Sequence, residues 1–257
     1  MSRIPVALQL YSVREDCAKD LAGTLKKIAD MGYVGVEFAG WHNHTPADLR
    51  QMLADNGLRL AGTQIMSFAK FEAEDWEVHA DFHQTLGNQN LIICYIPEER
   101  CKTIDDWRRM ADYFNELAEK AARRNMRVGY HNHYHEFKLL DGKRPWEVFF
   151  DATSQDVIMQ IDTGNALRGG GVPTDYLRRY SGRAVTVHLK EHSATNPKAL
   201  IGEGDVPWPE VFELCETIGG TQWYIVEESF EASCRPPFPP IESVRRSLEA
   251  LRRMGKV

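Results

Sequence analysis

Residues 104–137 read IDDWRRMADYFNELAEKAARRNMRVGYHNHYHEF, and the period of the apolar residues changes inside this stretch. Ile104, Trp107, Met110, Ala111, Phe114, Leu117, Ala118 and Ala121 recur at three- and four-residue steps, which predicts an amphipathic helix. Thr103 followed by Asp106 forms a capping-box pattern at its start, and Asn125, which tolerates positive φ, marks its stop. MRVGYHN at 126–132 then reads as a strand. The same helix–stop–strand phrase recurs as ADMGYVGVEF and ADNGLRLAGTQI, with Gly32 and Gly57 as the stops. Thr45 and Pro46 suit the cap and first position of a further helix over 45–57.

Eight short runs have the near-continuous apolar character of buried parallel strands: 4–10, 33–38, 58–65, 90–96, 126–132, 157–161, 184–189 and 223–228. Eight strands alternating with helices in 257 residues predict an α/β fold, a single-domain (β/α)8 TIM barrel spanning 1–257. A doubly wound open sheet is the rival, but QLYSVRED after the first strand is no glycine-rich phosphate loop.

The net charge of −6 argues against nucleic acid, whose phosphates demand a basic face. Five scattered cysteines without a CxxC pair suggest neither a zinc knuckle nor a disulfide framework. No apolar h-region opens the chain and no run of about 18 apolar residues occurs, so a cytoplasmic protein without a membrane span is expected. The oligomeric state is not legible, although barrels of this kind often pair.

In a barrel, chemistry belongs at the C-terminal strand ends. The fifth strand ends in His131, Asn132 and His133, the sixth in Asp162, the seventh in His188 and Lys190, and the eighth in Glu227 and Glu228. Neighbouring strands lie about 4.8 Å apart, so one inward side chain from each can converge on a point. His131 and His133 share a face, as do His188 and Lys190. His131, Asp162, His188 and Glu227 make a mixed nitrogen and oxygen set suited to one divalent metal ion such as Mn, Co, Zn, Fe or Mg. Each alone has a plainer reading: His188 as a core histidine, Asp162 as an Asx-turn former before Thr163-Gly164-Asn165, and the glutamates as a solvated strand end.

VALQLYSVRE, GYVGVEFAG, VGYHNHYHEF, QIDTGNALRGGG, TVHLKEH, IGEGDVPW and WYIVEESF follow one another in an order that resembles the xylose isomerase-like barrels, the sugar phosphate isomerase/epimerase group. The resemblance implies a divalent metal held by Glu, Asp, His and Glu on strands five to eight. Asp162, His188 and Glu227 match in kind, whereas His131 stands where that group carries glutamate. His131 is thus either ligand or base, and Glu136 is a substitute ligand if the strand end bends inward. Asn165 occupies a place where many members carry a substrate-contacting histidine.

The implied activity is isomerisation or epimerisation of a sugar or polyol, with the metal as Lewis acid and a base removing the proton beside a carbonyl. Glu227 and His131 or His133 are the candidate bases, and Lys190 the candidate oxyanion partner. Glu37 is expected to bind sugar hydroxyls and Trp41 or Phe68 to stack on the sugar, with Asn165 beside them. The alternative is a metal-dependent lyase that dehydrates a keto-inositol or cleaves a 3-keto-glycoside; a non-catalytic sugar-binding barrel is the third reading. GGG at 169–171 and GEGD at 202–205 are read as flexible connections.

Overall fold

The computed structural model describes residues 3–228 and 233–257. Eight parallel strands form its centre: β1 (Val6–Gln9), β2 (Gly35–Ala39), β3 (Arg59–Ile65), β4 (Asn90–Ile93), β5 (Arg127–His131), β6 (Ile158–Gln160), β7 (Thr186–Leu189) and β8 (Trp223–Val226). They run in the order β6-β5-β4-β3-β2-β1-β8-β7, with helices between them. β6 and β7 meet through a single parallel bridge, Asp162 with His188, backed by the His188 amide on the Ile161 carbonyl at 2.9 Å. The (β/α)8 barrel therefore closes at two residues singled out for chemistry.

Every expected strand run contains a strand, most of them shorter than expected, while β2 runs one residue further, to Ala39. The period argument also places the helix well: it spans Ile104–Ala122, and its buried face is the apolar series read from the sequence. Thr103 accepts from the Asp106 amide while Asp106 accepts from the Thr103 amide, so both halves of the capping box exist. Asn125 (φ 55°), Gly32 (φ 99°) and Gly57 (φ 63°) all take the left-handed conformation that lets a helix turn into the next strand. Outside the barrel, Phe114, Phe149, Trp107 and Tyr130 pack together, Phe114 edge to face on Phe149 with centroids 4.9 Å apart and Trp107 tilted against Tyr130.

Inside the barrel the filling is polar at one level. Gln9, Glu37, Gln64, Gln160 and Thr186 are all buried within otherwise apolar strands. The pairing of β2 with β3 shifts between Val36 and Glu37, and Gly62 opposite would place a Cβ 3.0 Å from Glu37 Oε1. This irregularity and the missing side chain give the Glu37 carboxylate its space inside the barrel.

Neither glycine segment is loose. A Cβ on Gly169 would strike the Tyr134 carbonyl, and one on Gly171 would sit 2.5 Å from the Phe137 ring. The GGG run is a close-packing device that seats the 134–137 turn, whose first neighbour is His133. GEGD is held by Glu191, whose carboxylate accepts from the amides of His192, Gly202 and Val206 and from Trp208 Nε1. The expected flexibility gives way to backbone amides gathered on one carboxylate. No helix among the described residues is long and apolar enough to cross a membrane.

Candidate metal centre

His131, Asp162, His188 and Glu227 come together at the C-terminal mouth, each offering a ligand atom within 4.8 Å of the others. All four are buried. Asp162 caps the helix Thr163–Arg168: its Oδ1 accepts from the Asn165 amide at 2.7 Å. The turn-former reading of Asp162 is therefore true of one oxygen. Oδ2 is buried without a hydrogen-bond partner and lies 3.9 Å from Lys190 Nζ. An unpartnered buried carboxylate oxygen costs free energy unless something binds it, and it faces three other ligand-bearing side chains. The donor set and this orphaned oxygen fit a divalent cation.

The backbone at this point is fixed by side chains that sequence reasoning passed over. Asn132 Oδ1 accepts from the Asp162 amide at 2.7 Å and its Nδ2 donates to the Asp162 carbonyl at 3.2 Å. Thr163 Oγ1 donates to the Lys190 carbonyl at 2.7 Å and accepts from the Lys190 amide at 3.1 Å. Asn132 points away from His131, as strand alternation requires, and that is what lets it hold the neighbouring strand. Three glutamines in apolar strands, Gln9, Gln64 and Gln160, were the available signal for the layer beneath.

Charge is arranged around Glu227. Its Oε2 lies 2.7 Å from His188 Nδ1 and its Oε1 accepts from Lys190 Nζ at 2.7 Å. Burial alone would raise its pKa, but the Lys190 ammonium and His188 overcome this and hold it well below the usual carboxylate range. Burial would likewise lower His188, yet Glu37 and Glu227 on its two nitrogens push it up to about 10. Burial, with His188 close by, drives His131 well below the ordinary imidazole value, and burial takes His133 down to about 4. Asp162 is pushed up to about 6 by burial, against the pull of Lys190. His133 is half-buried at the rim, its ring 5.3 Å from that of His131, and its Nδ1 has no hydrogen-bond partner.

Four residues named from the sequence lie outside the four-residue cluster. Glu37 is not at the mouth: it is fully buried, with its oxygens taken by Gln9, Gln160 and His188. Phe68 is buried against Tyr113 and Arg100 and offers no free face. Trp41 spends its ring on Phe82 at 4.3 Å and His83 at 5.1 Å, because the helix carrying those two residues packs over it. Glu136 accepts from Tyr130 Oη at 2.6 Å and the His133 amide at 2.9 Å, so the strand end does not bend it toward the cluster. Asn165 does lie beside the centre, lining a cavity of about 200 Å³ with Arg168, Lys190, Glu191, His192 and Glu228. Ser229 and Phe230 of the last quoted block lie outside the described residues.

Comparison with known proteins agrees with this geometry. Residues 25–254 match the model of the xylose isomerase-like TIM barrel family. The inosose dehydratase of Erwinia tasmaniensis is 23% identical over 260 residues, covering 86% of this chain and 87% of that one. That of Geobacillus kaustophilus is 26% identical over 188 residues, 65% of this chain and 60% of that one, so this match spans under two thirds of the relative. Among solved structures, a sugar phosphate isomerase/epimerase from Parabacteroides distasonis superposes with a TM-score of 0.84 at 23% identity, covering 98% and 97% of the two chains. The IolI protein with a bound zinc atom gives 0.74 at 13% identity, covering 96% of each. With eight strands in barrel order, a four-residue metal-type cluster at their ends and a family match over most of its length, the chain belongs to the xylose isomerase-like TIM barrel family and is an enzyme.

Proposed function

We propose that the protein is a metal-dependent lyase that dehydrates a keto-cyclitol of the inosose type. The observation that carries this reading is that the curated relatives are named inosose dehydratases. The strand-five end presents the imidazoles of His131 and His133 in place of a carboxylate, and one such base suffices for elimination, because the departing hydroxyl takes the proton. Isomerisation, the first expectation from the sequence, becomes the outcome to exclude.

His131, Asp162, His188 and Glu227 would hold a divalent cation, which would supply the Lewis acidity that makes a C–H beside a carbonyl more acidic. Zinc in the IolI protein supports a cation of that kind. The His133 imidazole is neutral and half-buried at the rim, its buried Nδ1 unpartnered, and it removes the proton α to the carbonyl. The β C–O bond then breaks, a C=C bond conjugated to the carbonyl forms, and the protonated His133 returns its proton to the leaving hydroxyl as water. One base on one face makes this a syn elimination. Lys190, an ammonium held against Glu227, donates to the substrate oxygen on which charge develops. The cavity beside Asn165 and Lys190 includes the polar side chains of Arg168, Glu191 and His192, which can meet hydroxyls.

The test is incubation of the Mn²⁺-loaded protein with inososes and a ketose panel in D₂O, followed by NMR. Loss of water with appearance of an enone is expected. A deuterated stereoisomer that keeps all its hydroxyls would sink the lyase reading in favour of epimerisation. His133→Ala is expected to lower kcat by about 10²- to 10⁴-fold while leaving metal affinity intact.

A further inference from the structure

Beneath the cluster, a chain of buried amides links the two histidine ligands through a residue that touches neither the mouth nor the substrate cavity. We propose that Glu37 is a positioning residue that sets the tautomers of both histidines, His188 directly and His131 through Gln160. The inference rests on the cluster being the metal centre.

The orientations of the amides follow from their partners. Gln9 Oε1 accepts from the Tyr11 amide at 3.0 Å, so its Nε2 is the atom facing Glu37 Oε2, at 2.6 Å. The same oxygen accepts from His188 Nε2 at 2.7 Å. His188 thus meets acceptor-only carboxylates at both nitrogens and carries a hydrogen on each without metal; with a cation bound, Nε2 keeps its hydrogen for Glu37 and Nδ1 is the nitrogen left for the cluster. Glu37 Oε1 accepts from Gln160 Nε2 at 2.8 Å, and Thr186 Oγ1 accepts from the same nitrogen at 2.9 Å. Rotating the Gln160 amide would set its oxygen against a carboxylate oxygen in a fully buried site, two acceptors with no hydrogen between them. Gln160 Oε1 must then face away from Glu37, where it accepts from Gln64 Nε2 at 3.0 Å and from His131 Nδ1 at 3.1 Å. A carbonyl oxygen has no hydrogen to give, so His131 carries its hydrogen on Nδ1. Its lone pair is on Nε2, free for a ligand.

The carboxylate of Glu37 thus makes one histidine a ligand through Nδ1 and the other through Nε2. Both settings follow from a single acceptor-only group, and a neutral amide there cannot enforce both. In Glu37→Gln the new carbonyl can still accept from Gln9 and His188, but its amide nitrogen then faces Gln160. Gln160 relieves the donor–donor contact by rotating, with Gln64 rotating in turn to accept from it, which presents the Gln160 NH₂ to His131 Nδ1. His131 must answer by moving its hydrogen to Nε2, which removes that nitrogen as a ligand.

The experiment is long-range ¹H–¹⁵N correlation of the histidine side chains in metal-free and Zn²⁺-loaded protein, with Zn²⁺ affinity measured by competition against a chelating dye. Wild-type protein is expected to show His131 as the Nδ1–H tautomer without metal, and His188 retaining Nε2–H with zinc. Glu37→Gln is expected to convert His131 to Nε2–H and to weaken Zn²⁺ binding by about 10- to 100-fold. A His131 that carries its hydrogen on Nε2 in the wild type overturns the proposal without any variant. So does a Glu37→Gln protein whose His131 tautomer is unchanged. Failure of wild-type protein to bind Zn²⁺ would instead remove the metal centre while leaving the tautomer result to be read on its own.

Discussion

Glu136 shows how much one buried carboxyl can cost. Burial raises it to about 7 from an ordinary value of 4.5, although Tyr130 Oη and the His133 amide both donate to it. A carboxyl with a raised folded pKa binds its proton more tightly when folded, so its contribution is fully present below about 4.5 and declines as pH rises through about 7. Glu136→Gln is expected to erase this decline. Its amide oxygen accepts from the His133 amide, and the Tyr130 hydroxyl rotates to accept from its NH₂. Chemical denaturation at a series of pH values should show the variant gaining on wild type between pH 4.5 and 7, by about 3 kcal/mol at most. A stability difference that does not change with pH over that window would contradict the assignment. At this scale the ligand types were legible in the sequence because strand ends are polar only for a reason. The depth of Glu37 was not, since it depends on a register shift between β2 and β3.

At the scale of elements, the packing of the Thr163–Arg168 helix end on the 134–137 turn decides where His133 sits. Phe137 cannot yield to a new Cβ on Gly171, because its ring is packed by Trp146 at 5.5 Å and Tyr176 at 5.2 Å. Gly171→Ala is therefore expected to destabilise the protein by about 1–3 kcal/mol, read as a lower denaturation midpoint. It is also expected to lower kcat, because the displaced turn carries the segment after His133. An unchanged midpoint would mean that the close approach is not enforced in solution. The sequence made the glycines look like flexibility. Flexibility and close packing use the same residue, and only the neighbour across the gap distinguishes them. Helix boundaries were more legible, because capping boxes and left-handed stops act within a few residues.

For the whole molecule, the barrel seam and the cluster coincide. β6 and β7 are joined at Asp162 and His188, and the other two cluster residues follow on β5 and after β8 on either side. A cation bound by all four ties the weakest strand pair together. Addition of Zn²⁺ or Mn²⁺ is expected to raise hydrogen-exchange protection most at the amides around 159–162 and 186–190, and least at β2 to β4. At a hundredfold excess over Kd the stabilisation is about 2.7 kcal/mol, reversed by EDTA. Uniform protection across all eight strands would count against a seam that the metal closes.

The sequence by itself determined the alternation of eight strands and helices, the caps that bound them and the four residue types that meet at the strand ends. Those features follow from periodicity and local hydrogen bonding, which act over short stretches of chain. Only the tertiary structure decided that Glu37 lies under the centre, that Phe68 turns to the core while half-buried Trp41 packs on Phe82, and that His131 meets Gln160 and His188 meets Glu37. Each of these depends on which side chain another strand or helix places opposite, and no local pattern encodes that.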